Sequence, residues 1–259
     1  MKKTFALFGK TATAAALLLS MTALASAQPK EIHVLCSNGI KDAVEHSLAA
    51  AEKKIGRKIK IEYSASTRFQ KAIEEGTEFD LTILTPGIID ALMKSGKLAA
   101  GSKTDVASAD LAVGMKAGSP KADISSPDAM KKRLLAAKSV TWTDGGAAGP
   151  AVMAMLKGLG IDEQMKAKIV LQTVPGRPAE SVKEGQNELM MAPVSEIGTV
   201  PGMAVLGFFP KEYQKPVVMT AGISAKAKDA EGAKALVAYL TSPAAAKAIK
   251  DAGMKQLTK

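Results

Sequence analysis

Four short stretches of the chain carry residues suited to holding a small charged molecule. They are SNG at residues 37–39, SAST at 64–67, GGAAG at 145–149 and VPGRP at 174–178. Each follows a β-prone run and precedes a helix-like one. A turn in that position aims the free N–H groups of a helix's first turn outward, and the helix dipole favours negative charge in front of them. Ser and Thr hydroxyls add donors of their own. In the third stretch the small residues Ala147, Ala148 and Gly149 would leave room for an anion. Pro150, just inside the helix start, gives up an N–H that has no helical partner anyway. No Lys-Ser or Lys-Thr follows these glycines, so the turn is not a nucleotide-binding P-loop. Helix capping explains any one of the four alone; four together point to a shared site. The candidate ligand-binding residues are Ser37, Asn38, Gly39, Ser66, Thr67, Ala147, Ala148, Gly149, Pro175 and Arg177. Arg177 is the single permanent charge among them.

Catalytic constellations are mostly missing. The sequence has no G-x-S-x-G elbow, no H-E-x-x-H and no Cys/His cluster. His33 and Cys36 are three apart on a strand, so the two-residue period turns them to opposite faces. His46 follows Asp42 by four helical positions, which suits a surface pair. Met153, Met155, Met190 and Met191 read as core filler, and Trp142 as a core residue near the cleft. A binding protein is therefore expected rather than an enzyme, with no cofactor and no metal. A secreted enzyme is the reading held in reserve.

The elements that must carry these turns alternate. IHVLC, KIKIEY and DLTILT read as strands separated by helices over 40–55 and 69–75, and Pro86 opens a further helix. After DLAVGMKAGSP a second set follows: a helix at 130–137, the strand SVTWT, the glycine turn with its helix, IVLQTV, a helix near Glu180, and ELMMA. PVVMTAGIS is a late strand, and two Ala-rich helices split at Ser242-Pro243 end the chain. The expected fold is α/β with two lobes, each a mainly parallel sheet flanked by helices, joined by two hinge crossings near 112–117 and 215–221. The expected lobes are 28–113 with 217–259, and 114–216. Ligands of open α/β sheets bind at the carboxyl ends of strands, and a cleft between two lobes collects several such ends.

Residues 1–27 have a basic start (Lys2, Lys3, Lys10), an Ala/Leu-rich run and ASA before Gln28, the pattern of an export signal cleaved after Ala27. Its removal would take three lysines and no acid, so the formal charge of +10 would become +7. The expected location is the periplasm. The single cysteine rules out an internal disulfide, and Cys36 lies nine positions past the cleavage site, too far for a lipid-bearing residue. The lysines are interleaved with acids and aromatics make up only 4% of the chain, so no base-stacking platform for nucleic acid is expected.

The same turns carry a resemblance. SNGIK, SAST, EFDLTILTP, AAGP, VPGRPAE and the closing SPAAAK…AGM resemble, in order and spacing, the periplasmic molybdate-binding proteins of ABC importers, within the type II periplasmic binding fold. The resemblance spans nearly all of the chain after residue 27. It implies a small oxyanion held by Ser hydroxyls and backbone amides, with Ser66 and Ala148 at matching positions. The first-turn serine falls at Gly39 or, with a small shift, at Ser37. The family's tyrosine falls near Pro193, which offers neither hydroxyl nor N–H. The implied partners are a small anionic ligand and an inner-membrane ABC permease, and the expected state is a monomer. The alternative ligand is a small organic carboxylate clamped by Arg177.

Overall fold

The computed structural model describes residues 31–174 and 176–258. The expected export signal and Pro175 lie outside the described residues. The chain begins with β1 (Glu31–Ser37), α1 (Lys41–Ile55), β2 (Lys58–Ser64), α2 (Ser66–Glu74), β3 (Leu81–Leu84) and α3 (Pro86–Lys94). Two strands in succession, β4 (Thr104–Ala109) and β5 (Leu111–Lys116), lead to α4 (Pro127–Ala136), β6 (Val140–Thr143) and α5 (Gly149–Gly158). Then come α6 (Asp162–Met165), β7 (Ile169–Gln172), α7 (Arg177–Lys183), β8 (Leu189–Pro193) and β9 (Met203–Phe208). The chain closes with β10 (Val217–Ile223), α8 (Ala230–Leu240), α9 (Pro243–Asp251) and β11 (Lys255–Gln256).

Local chemistry accounts for most of these limits. Ile32, Val34, Leu35 and Cys36 are all fully buried, as expected of a strand covered on both faces. Gly56 ends α1 in the left-handed conformation, with φ 68°. Pro86 and Pro127 stand in the first turns of α3 and α4, and the Ser126 side chain accepts from the Ala129 amide to cap α4. α2 starts at Ser66 rather than at residue 69, so Ser66 and Thr67 belong to its first turn.

Two sheets result, with strand orders β11-β4-β10-β3-β1-β2 and β7-β6-β8-β5-β9. Within each, one triple is parallel: β2-β1-β3 in the first and β7-β6-β8 in the second. The remaining pairings are antiparallel, so the sheets are mixed and the mainly parallel reading needs correction. The antiparallel strands flank the two crossings, where the chain leaves one sheet and enters the other without a βα crossover unit. β4, β9 and β11 escaped the sequence reading, and so did β5, since residues 112–117 were expected to be a hinge crossing. β4 and β11 have few apolar residues, and β9 lies at a sheet edge, only partly buried.

The chain passes between sheets at Asp110 and returns between Phe208 and Val217. A boundary at 113/114 would cut β5, whose whole length pairs in the second sheet, so this edge moves a few residues toward the N-terminus. The two passages lie side by side. Gln214 accepts from the Leu111 amide (2.8 Å) and donates to its carbonyl (3.0 Å), and the Phe209 amide donates to the same carbonyl at 3.1 Å.

Candidate functional site

The carboxyl ends of the two parallel triples face each other. From the first sheet come the end of β1, the 3-10 turn Asn38–Ile40 and the β2–α2 junction at Ala65. From the second come the turn between β6 and α5, and the end of β8 with its 3-10 turn Val194–Glu196. Between them lies a cavity lined by Ser37, Asn38, Gly39, Ala147, Ala148 and Pro193 among the expected residues, and by Trp142, Met191 and Glu196 among the others. The centre of a water-sized sphere can sweep ≈ 20 Å³ there. Adding that sphere's radius leaves room for an object roughly 3 Å in radius. That is the dimension of one tetrahedral oxyanion.

The donors around the cavity are specific. Ser37 Oγ accepts from the Gly39 amide (3.5 Å) and from the Ser66 hydroxyl (3.1 Å), which leaves its own proton to point elsewhere. Ser37 and Ser66 are both buried. Ser66 thus acts through Ser37 and does not itself line the cavity. The Ala147 and Ala148 amides donate no hydrogen bond to any described residue, although Ala148 is buried. A buried N–H without a partner is costly, which singles out the Ala148 amide, with the half-buried Ala147 amide beside it, as donors available to a ligand. Gly149 is different. Its amide closes the turn on the Gly146 carbonyl (3.4 Å), and the residue faces an outer groove beside Met153 and Leu171.

Among the described residues, three hydrogen bonds join the lobes around the cavity. Thr67 Oγ1 donates to the Gly145 carbonyl at 3.1 Å, Ser195 Oγ donates to the Gly39 carbonyl at 3.1 Å, and the Arg68 guanidinium donates to the Thr173 carbonyl. Thr67 is therefore a latch rather than a lining residue. Gly145 has φ +64°, and a Cβ there would meet Thr67 Oγ1 at 2.2 Å, so the approach depends on glycine.

Arg177 is not brought to the cavity. Its guanidinium pairs with Glu184 (2.9 Å) and Glu180 (3.6 Å) and donates to Gln186 Oε1 (2.5 Å). A carboxylate clamp by Arg177 does not fit this placement. Cys36 lies next to Ser37 but is fully buried; burial pushes its thiol pKa well up and keeps it protonated.

Glu196 escaped the sequence reading. Burial, reinforced by the nearby Asp42 carboxylate, pushes its carboxyl up to about 7. The one available signal was its position, in PVSEI, just past the carboxyl end of a strand.

The chain belongs to the bacterial extracellular solute-binding protein family, whose model matches residues 32–255. Among curated relatives it is 31% identical to an aconitate isomerase from Pseudomonas sp. over 247 residues, covering 93% of this chain and 94% of that one. It is 25% identical to the molybdate-binding protein ModA of Azotobacter vinelandii over 232 residues, covering 88% and 91%. The solved periplasmic molybdate-binding protein of Azotobacter vinelandii superposes with TM-score 0.74 at 19% identity, over 88% of this chain and all of that one. That likeness establishes the two-lobed periplasmic binding fold. Among the described residues no helix is long and apolar enough to cross a membrane.

Proposed function

We propose that this protein is the periplasmic receptor of an ABC importer, closing its two lobes on one small anion and delivering it to an inner-membrane permease. The observation that carries this reading is the cavity itself: neutral donors from both lobes, the Ser37 hydroxyl on one side and the Ala147 and Ala148 amides on the other. Neutral donors can hold an anion firmly and still release it, because no fixed opposite charge has to be separated. The ≈ 20 Å³ cavity favours a tetrahedral oxyanion of the molybdate type over a six-carbon tricarboxylate. Closure would turn on the paired linkers around Asp110 and Gln214. The protein would act as a monomer after export. Thermal shift of the purified protein with molybdate, tungstate and sulfate tests the proposal. A ligand at 100 times its dissociation constant stabilises by about 2.7 kcal/mol, so a true ligand raises the melting temperature clearly. No shift with any of the three would remove the oxyanion reading.

A second reading is favoured by the relative at 31% identity and by Glu196, a carboxyl able to hold or take a proton near neutral pH. On this reading the cleft isomerises an unsaturated polycarboxylate such as aconitate, with lobes set wider apart to admit it. Incubation with cis- and trans-aconitate, followed by proton NMR, decides it: interconversion in the presence of wild type and not of Glu196→Gln would replace the receptor reading.

A further inference from the structure

Glu196 is the one titratable side chain lining the cavity among the described residues. Its carboxyl makes no hydrogen bond or ion pair with any other described residue. The group lies against the first-sheet turn, where a Cβ built on Gly39 would sit 3.5 Å from Oε1. The other polar groups with hydrogens to spare, among them the Ser37 hydroxyl, the Ala147 and Ala148 amides and the Asn38, Trp142 and Thr143 side chains, can all donate. An ionised carboxylate can only accept, and it would repel the anion that those donors attract.

Resting on the receptor reading, we infer that the cleft takes up its anion together with one proton, which Glu196 shares with the ligand. With a fully ionised oxyanion, the protonated carboxyl donates to an anion oxygen. With an anion that carries its own hydrogen, the carboxylate accepts from it. The proton count of the complex is the same in both cases.

The surroundings agree. The charge that bears on Glu196 is Asp42 in the first turn of α1, of like sign. β8 carries no charged residue, and the only one in β5 is Lys116, at the end away from Leu111, where the chain enters. Asp110, before β5, is exposed and meets this turn through its carbonyl, which accepts from the Val194 amide. Beyond Gly253, which packs on Ser195, Asp251 is held by Lys247. Lys41, beside Asp42, is drawn to Glu45 (3.8 Å), and neither Lys116 nor Lys247 bears on Glu196, so burial and Asp42 act together to keep the carboxyl protonated up to about pH 7.

The test is calorimetric titration of the protein with sodium molybdate and with sodium sulfate between pH 6 and pH 9. Both ions are fully ionised throughout that range, so any proton must come from the protein or the buffer. Wild type should lose affinity by about tenfold per pH unit above about 7, roughly 100-fold between the ends of the range. At pH 8.5, heats in two buffers of different ionisation enthalpy should report about one proton taken up per ion bound. Glu196→Gln, neutral at every pH, should bind with an affinity that changes by less than about threefold over the range. Wild-type affinity that is flat with pH, with no proton uptake, overturns the inference and leaves the receptor reading standing. A Gln variant that keeps the full pH slope overturns it too, because the proton then sits elsewhere. If neither ion binds a folded wild-type protein at any pH, the receptor reading fails and this inference fails with it. The buffer comparison on wild type stands on its own should the variant fold poorly.

Discussion

The turn at 144–148 and the turn at 173–176 look alike in sequence, each glycine-bearing and each between a strand and a helix, yet only the first lines the cavity. The difference is strand order. β6 has β8 on one side and β7 on the other, so the turn that follows it faces the partner lobe. β7 is the edge strand, and the turn after it meets the partner lobe only at the rim, through the Thr173 carbonyl and Arg68, where Leu171 is 47% and Val174 59% exposed. At the rim an arginine meets its own helix's glutamates before it meets a ligand. Turn composition tells where a helix begins, and neighbours in the sheet decide what that beginning faces.

Substitutions in the two turns should separate them sharply. Ala148→Leu would fill a cavity only roughly 3 Å in radius, and anion binding should be lost, by 1,000-fold or more on the order-of-magnitude scale of about 4 kcal/mol. The melting temperature without ligand should barely move, and calorimetry beside thermal unfolding checks both halves. Binding unchanged in Ala148→Leu would reduce this turn to a helix cap, the same standing as the other. Ser37→Ala, on the lobe opposite the turn, should weaken binding by about 1–3 kcal/mol, the cost of one hydrogen bond to a charged group.

Gly145→Ala acts on the contact between lobes. The added methyl meets Thr67 Oγ1 and the left-handed backbone disfavours a side chain, so stability should fall by about 1 kcal/mol and affinity by roughly tenfold. Pairing it with Thr67→Ala should restore part of the affinity and none of the stability, because only the contact is relieved. Arg177→Ala, in the rim turn, should change affinity by less than about twofold, since a partly exposed surface ion-pair cluster is worth little. A loss larger than tenfold there would mean the rim turn swings inward on binding, and the comparison would have to be redrawn.

Much of this was legible beforehand. The apolar runs at β1, β3 and β8 and the prolines at 86 and 243 marked elements that the fold contains, because continuous burial and helix starts leave local signatures. Of the candidate residues, those on β1, on the β6–α5 turn and at Pro193 meet at one cavity. Gly149, Thr67 and Arg177 do other work, which depends on orientation across lobes and on competing partners a hundred residues away or one helical turn along. Glu196 was invisible for the opposite reason: a lone glutamate after a strand is usually a solvated one, and only the fold turns it, half-buried, into the cavity.

The bonds Thr67 to Gly145, Ser195 to Gly39 and Arg68 to Thr173 join lobe to lobe without passing through the cavity. They form whenever the lobes meet, whatever lies between. On the receptor reading, part of the drive to shut therefore belongs to the protein, and entry waits on a gate. The observed rate of ligand uptake should climb with concentration and then level off at the speed of opening. Capture would be timed by the latch, and retention with it.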